Sequence, residues 1–224
     1  MRHLTSAWLG MAAVLGAGTA GAQEFGQKGD VAFGAERLFG IQGTHTYLER
    51  VVPDQPDIEN DYTTISFGWR PANAEFSPFD AARVGFDVFI IDHLSLGGSL
   101  GYSSVSAEGT EDAPGPDFGD DVSYSSFIFA PRVGYAVMFS DVVGIWPRGG
   151  FAYHSASLED SFSEFGLSFG VEAMFVIAPV RHFGFLIGPT FDIDFAGEID
   201  PEVGPDRDRR YRSFGLQVGL FGWI

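Results

Sequence analysis

Polar residues recur at every second position through the stretch GFDVFIIDHLSLGGSLGYSS, residues 85–104, although this stretch is as apolar as a protein core. Apolar residues such as Phe86 and Val88 alternate with smaller or charged ones, and the alternation resumes after the pair Asp92-His93. A period of two is typical of β-strands, whose side chains point to opposite faces in turn. The stretch predicts two strands joined by a tight turn, and it leaves open what lies against each face.

The same alternation divides most of the chain into eight segments, which are residues 30–41, 82–91, 94–105, 123–139, 142–157, 165–178, 183–195 and 211–224. Two kinds of connection alternate between them: short turns at 92–93, 140–141 and 179–182, and long polar loops at 42–81, 106–122, 158–164 and 196–210. Short turns at one end and longer loops at the other are typical of outer-membrane barrels. The sequence therefore predicts an all-β fold, an eight-stranded antiparallel up-and-down transmembrane β-barrel.

On seven of the predicted strands, one face carries large apolar side chains and no charge; Phe86, Phe129 and Phe175 are examples. A charge that faces lipid near the bilayer midplane costs ~2–4 kcal/mol, so a face without charges indicates contact with lipid. The composition agrees with this interpretation. The chain has 23 Phe and 30 Gly, which suit a barrel with large apolar groups outside and small residues inside.

The opposite face carries charged residues that we expect to fill the lumen as one cluster: Glu36, Arg83, Asp87, Arg132, Arg148, Glu172 and Asp192. Arg148 and Glu172 are nearly symmetric about the loop near residue 160, which places them opposite each other on adjacent strands. The interior of an eight-stranded barrel is just wide enough to be filled by side chains, and buried charges there must be paired. We expect a polar plug that holds the barrel closed. The alternative is a gate whose charges exchange partners to let ions through.

Residues 1–22 predict a secretory signal peptide. Arg2 and His3 precede a short apolar run that ends at Ala20-Gly21-Ala22, a small-x-small site for cleavage before Gln23. The alternative is an N-terminal membrane anchor, but the apolar run is shorter than the ~20 residues a spanning helix needs. The expected mature chain, residues 23–224, is one barrel domain.

The first long loop, residues 42–81, contains a further stretch with the composition of a strand at residues 62–70. Barrels of this class have an even number of strands, so we interpret the stretch as an extension within the loop. A ten-stranded barrel is the alternative.

The charge balance restricts the partners. Thirty acidic against 13 basic residues give a net charge of -17, which argues against nucleic acid as a partner. The chain has no cysteine, no pattern that indicates a metal site and no motif for a cofactor. The acidic stretch AEGTEDAPGPDFGDD, residues 107–121, could gather calcium or magnesium, but a solvated loop explains it as well. A basic group near the end of the chain has the residue types that clamp lipid phosphates: Arg207, Arg209, Arg210 and Arg212.

The repeated unit of strand, short turn and strand resembles the small outer-membrane barrels of the OmpA and OmpX kind over essentially the whole expected mature chain. Its copies include ARVGFDVFIIDHLSLGGSLGYSS and PRVGYAVMFSDVVGIWPRGGFAYHS. The C-terminal FGLQVGLFGWI is similar to the final strand that the barrel-assembly machinery recognises, although Ile224 stands where the family usually has an aromatic residue. The resemblance implies a monomer in the cell outer membrane, in contact with lipid and lipopolysaccharide, with an extracellular ligand that the sequence does not identify.

His154 in AYHSASLED is the one residue that suggests nucleophilic chemistry, because lipid A deacylases on small barrels carry a His-x-Ser-Asn motif. Here Ala156 occupies the serine position, and Ser155 and Ser157 fall on the face opposite His154. We therefore predict that the chain is not an enzyme. The expected role is structural or interactive at the cell surface; the alternatives are a narrow ion or solute channel and, third, a lipid-modifying enzyme.

Overall fold

The computed structural model describes residues 25–50, 57–68, 78–107, 122–158, 161–202 and 204–224. Ten strands are assigned in these residues: β1 (Val31–Leu48), β2 (Ile58–Phe67), β3 (Arg83–Ile91), β4 (Leu94–Ala107), β5 (Val122–Tyr135), β6 (Val137–Met138), β7 (Val143–Leu158), β8 (Phe162–Val180), β9 (Phe183–Pro201) and β10 (Arg207–Trp223). A single 3-10 turn, Pro78–Asp80, precedes β3. None of the described helical residues forms a helix long and apolar enough to cross a membrane.

Eight of the strands form a closed antiparallel ring, in the order β1, β3, β4, β5, β7, β8, β9 and β10. The ring closes where β10 pairs with β1, from Ala32 opposite Trp223 to Leu48 opposite Arg209. The two-residue β6 follows β5 and pairs with β7 beyond the point where β5 ends. The prediction of an eight-stranded antiparallel barrel is confirmed.

The segment predicted as an extension of the first loop lies largely in β2. This strand pairs with the C-terminal part of β1, from Phe39 opposite Phe67 to Leu48 opposite Ile58. The N-terminal part of the same edge of β1, from Val31 to Glu36, pairs with β3. One position in the wall is thus shared by two consecutive strands, so the extra strand adds no member to the ring. The ten-stranded alternative is not what the structure shows.

The wall is taller than predicted at the end where the long loops begin. β1 continues to Leu48 and β9 to Pro201, and β10 begins at Arg207, so much of the predicted loops 42–81 and 196–210 is strand. The alternation of large apolar residues stops earlier because the outer face becomes polar there, as at His45 and Arg212. The hydrogen-bonded ladder continues regardless of which side chains it carries.

The opposite end has tight turns at 92–93, 139–142 and 181–182, within or around the predicted turns at 92–93, 140–141 and 179–182; the third is shorter than predicted because β8 continues to Val180. We refer to it as the turn end and to the other as the loop end. His93 and His182 adopt left-handed backbone conformations, with φ of 70° and 62°. The predicted signal peptide, residues 1–22, and the acidic stretch 107–121 apart from Ala107 lie outside the described residues.

Large apolar side chains cover the outside of the ring. Val84 and Phe86 on β3 are each 54% exposed, and comparable exposures recur on the other strands. Apart from the aromatic floor described below and some buried apolar residues such as Ile128 and Leu186, the residues that point inward are small, polar or charged. The predicted assignment of faces therefore describes the wall correctly, with apolar groups outside and polar groups inside.

Candidate functional site

A bulge in β1 turns two consecutive charged side chains into the lumen. The pairing of β1 with β10 is interrupted between Ala35 and Phe39. Within that interval Arg37 has a φ of 55°, in the left-handed region, and both Glu36 and Arg37 are buried. A non-glycine residue in this region is uncommon and is retained only where its surroundings fix it, often at functional sites.

The lumen at this height holds four arginines and four carboxylates, all largely buried, which we call the charge layer: Glu36, Arg37, Arg83, Asp87, Arg132, Arg148, Glu172 and Asp192. All seven residues of the predicted lumen cluster lie in it. Arg37 is the additional member, which was not predicted because strict alternation would place it on the face opposite Glu36.

Arg132 and Arg148 share the carboxylate of Glu36. Arg132 donates from Nη1 and Nη2 to the two oxygens of Glu36, each at 2.7 Å, and also binds Asp87. Arg148 donates to Glu36 Oε1 and to Glu172 Oε2, each at 2.6 Å. Arg148 and Glu172 stand opposite each other in the β7–β8 register, as their spacing predicted. Apart from Arg148–Glu172, these bidentate and bridging contacts link strands that are not neighbours in the ring.

Arg37 joins the other side of the layer. It donates to both oxygens of Asp192, at 2.8 and 3.1 Å, and to Glu172 Oε1 at 3.2 Å. It also donates to the carbonyl oxygen of Phe79 at 2.8 Å, and Phe79 itself is fully buried inside the ring. The bulge therefore ties the segment before β3 to the centre of the lumen.

An aromatic cluster, which we call the floor, closes the turn end below the charge layer. The ring of Phe25 lies 5.0–5.3 Å from the rings of Phe89, Trp146, Phe221 and Trp223, edge-on to each of them. Such edge-to-face contacts contribute about 0.5–1.5 kcal/mol each beyond burial of area. Phe25 was not predicted to be part of the lumen, because it precedes the first alternating segment.

A third group, the upper cluster, lies between the charge layer and the loop end. His154 Nε2 is 3.1 Å from Asp194 Oδ1, while the other oxygen of Asp194 accepts the backbone N–H of Tyr211. Glu164 accepts from the Tyr211 hydroxyl and from Arg209, the latter at 2.6 Å. The ring of Phe79 packs edge-on against His154 at 5.4 Å. The lumen is filled at three heights in succession.

Comparisons with known proteins bear on the fold. Neither a protein-family model nor a curated protein matches the chain. The crystal structure of the outer membrane protein OprG from Pseudomonas aeruginosa matches with a TM-score of 0.52 at 10% sequence identity, covering 88% of this chain and 97% of that one. The chain folds as a small outer-membrane β-barrel.

Two further solved structures match with lower scores. Neisserial surface protein A matches with a TM-score of 0.47 at 10% identity, covering 87% of this chain and 99% of that one. The outer membrane protease OmpT from Escherichia coli matches with a TM-score of 0.45 at 7% identity, covering 87% of this chain and 97% of that one.

The structure divides the four arginines predicted to contact lipid phosphates between the two faces of β10. Arg210 and Arg212 project outward and are exposed. Arg209 points into the lumen and binds Glu164, and Arg207 has the same parity as Arg209. Arg209 is therefore part of the upper cluster and is not placed to contact lipid. Alternation explains the division, because odd and even residues of one strand face opposite ways.

The described part of the barrel contains no group of three or more His, Asp or Glu side chains arranged to hold a metal ion. Its lumen carboxylates accept from guanidinium, hydroxyl and backbone N–H groups.

Proposed function

We propose that this chain is an integral outer-membrane protein whose barrel is closed to solutes and whose role is structural or interactive at the cell surface. The observation that carries the proposal is the filling of the lumen at three heights, by the aromatic floor, the charge layer and the upper cluster. A narrow channel needs a continuous path, and buried side chains of these groups occupy the interior at each height.

The location is supported by the outside of the ring and by the fold. Large apolar side chains exposed on all sides of a soluble protein would be unfavourable, whereas in lipid they are in their preferred environment. We expect the chain to fractionate with the outer membrane and its mature N-terminus to be Gln23. Recovery in the soluble periplasm would contradict the proposal.

Closure is tested by reconstituting the chain in planar bilayers, with an open porin as the positive control. We expect no discrete current steps from the wild-type barrel when its insertion has been verified separately by its migration on detergent gels. Discrete steps that disappear in Arg148→Ala or Glu172→Ala would instead support a gate made by the charge layer.

The proposal includes the absence of lipid-modifying activity. His154 is buried in the lumen and hydrogen-bonds Asp194, while Ser155 and Ser157 lie on the outer-face parity of β7. A histidine and a serine on opposite faces of a strand cannot hydrogen-bond, so His154 is not placed to activate Ser155 or Ser157. Lipid A mass profiles of cells with and without the protein should be identical; a shift by the mass of an acyl chain would contradict this.

The surface partner we propose at the outer edge of the wall is the phosphate of lipopolysaccharide. Arg212 lies directly above the apolar row that begins at Phe214, and Arg210 is the next outward residue. Arginine recognises phosphate bidentately, and this height is where headgroups begin. Substituting both arginines with Gln should weaken retention of lipopolysaccharide through purification, measured by phosphate content per barrel; unchanged retention would remove this part of the proposal.

A further inference from the structure

Arg83 differs from the other arginines of the charge layer. It is 3% exposed and stands opposite Glu36 in the register of β1 and β3, yet it forms no ion pair with any described carboxylate. Its Nε and Nη2 atoms are buried and have no hydrogen-bond partner. An unpaired buried guanidinium is costly, so its donors call for an acceptor.

The other buried atoms of the charge layer that lack partners are donors too. They are Nε of Arg37 and Nε of Arg148, and no described carboxylate oxygen of the layer is in this state. Glu172 and Asp192 each receive arginine N–H groups on both oxygens. The layer is thus short of acceptors by several hydrogen bonds, although its formal charges balance.

A small cavity of about 30 Å³ lies beside these donors. Six members of the charge layer contribute to its lining: Arg37, Arg83, Arg132, Arg148, Glu172 and Asp192. About 10–15 Å³ of such volume holds one water molecule, so the cavity has room for one small ion or about two waters. Polyatomic anions with several heavy atoms are too large for it.

The shortage of acceptors distinguishes an anion from water. A water molecule accepts about two hydrogen bonds but brings two O–H donors of its own, and the carboxylates of Glu172 and Asp192 on the lining already accept arginine N–H groups on both oxygens. A halide ion brings no donors and accepts from several N–H groups at once. Four arginines against two carboxylates along the lining also favour negative charge there.

We propose that this cavity is a binding site for a single small anion of halide size, chloride under physiological conditions, held by Arg83 with the neighbouring guanidinium groups. The anion completes the hydrogen bonding of the charge layer. It is bound by the folded barrel and by no site in the unfolded chain, so it stabilises the folded state by mass action.

The proposal is tested by the thermal unfolding midpoint of the full chain refolded in detergent, in sodium chloride or sodium bromide and in sodium gluconate, all at about 0.15 M. Gluconate is too large for the cavity and keeps the ionic strength constant. We expect the wild-type midpoint to be higher in either halide by about 3 °C or more, the shift that ~1 kcal/mol gives for a chain of this size. Arg83→Gln should lose the difference between halide and gluconate, and Lys28→Gln, which removes an exposed cation at the turn end, should keep it.

Equal wild-type midpoints in chloride and gluconate would overturn the proposal, as would an equal halide effect in Arg83→Gln. If Arg83→Gln does not refold, crystals of the wild-type barrel grown in bromide decide the question. An anomalous peak within hydrogen-bonding distance of Arg83 supports the site. Well-ordered density there without anomalous signal means that the cavity holds water only, and the proposal fails.

Discussion

Arg132 shows how each charge in the lumen depends on its partners. It is held by Glu36 and Asp87 together, and the three side chains are nearly inaccessible to solvent. Removing one partner of a buried ion pair leaves an uncompensated charge and costs about 3–5 kcal/mol. We therefore expect Arg132→Met to lower the free energy of unfolding by that amount, measured by urea titration of the refolded barrel.

The matched control is Arg210→Met. Arg210 pairs with Asp208 at 2.8 Å, but both side chains are about half exposed, and exposed pairs contribute about 0–1 kcal/mol. Equal losses in the two variants would show that the charge layer is not buried as described.

Gly85 packs against the side chains of Glu36 and Arg132, which leave no room for a larger residue. A Cβ at this position would overlap the Glu36 carboxylate and come within 2.9 Å of Arg132 Nη2. Overpacking of this kind costs about 1–3 kcal/mol, so Gly85→Ala should destabilise the barrel by that amount in the same titration. Gly43→Ala is the control, since the nearest atom there is 3.8 Å away, and it should be neutral.

Alternation predicted seven of the eight residues in the charge layer, because a period of two assigns each residue of a regular strand to one face. It missed Arg37 because the step from Ala35 to Phe39 on β1 faces only the step from Leu220 to Val218 on β10, so two extra residues interrupt the alternation before it resumes. The adjacent charges Glu36-Arg37, one of which must face lipid if the strand is regular, are the signal that could have indicated the bulge. Phe25 could not be found this way, since it lies outside any strand.

At the level of strands and turns, two hairpins at the turn end are fixed by the same kind of histidine hydrogen bond. His93 and His182 each take a left-handed conformation, and each Nδ1–H donates to a backbone carbonyl of a neighbouring segment, at Ala136 and Trp223. The distances are 2.9 and 2.8 Å. Each turn is thus hydrogen-bonded to an adjacent segment of the ring, at Ala136 after β5 and at Trp223 at the end of β10.

The pairing of β2 with β1 gives a test at the same scale. Gly43 and Thr63 stand opposite each other, and the chain has no cysteine. Gly43→Cys with Thr63→Cys should oxidise to a disulfide, since opposite residues of antiparallel strands lie within the required distance. The expected readout is a loss of about 2 Da on oxidation, one hydrogen atom for each of the two thiols joined.

The control pairs Gly43→Cys with Ile65→Cys, which is displaced along β2 by two residues on the same face. It should cross-link far less. Equal cross-linking in both would mean that β2 is not in the register described. The composition of residues 62–70 predicted a strand, but which edge it joins depends on contacts distant in sequence, so its place beside β1 could not be predicted.

For the whole molecule, the eight-stranded ring and the filled lumen have one cause. A ring of this size encloses a space that side chains just fill, so polar groups inside must satisfy one another. The outside then has to be apolar for the barrel to enter a bilayer, which reverses the arrangement of a soluble protein. The even count and the alternation of connections made the ring predictable, whereas the segment folded into the lumen near Phe79 had no periodic signal.

This reversed arrangement predicts how tryptophans respond to a quencher confined to lipid. Trp146 is 1% exposed and points inward, whereas Phe129 is 46% exposed on the outer wall. In the mature chain, we expect brominated acyl chains to leave the fluorescence of Trp146 unchanged when Trp69 and Trp223 are replaced by Phe. In the same background with Trp146→Phe, a tryptophan introduced by Phe129→Trp should be strongly quenched, because bromine atoms contact it directly. The opposite result would place lipid on the face that holds the charges, where each one would cost ~2–4 kcal/mol.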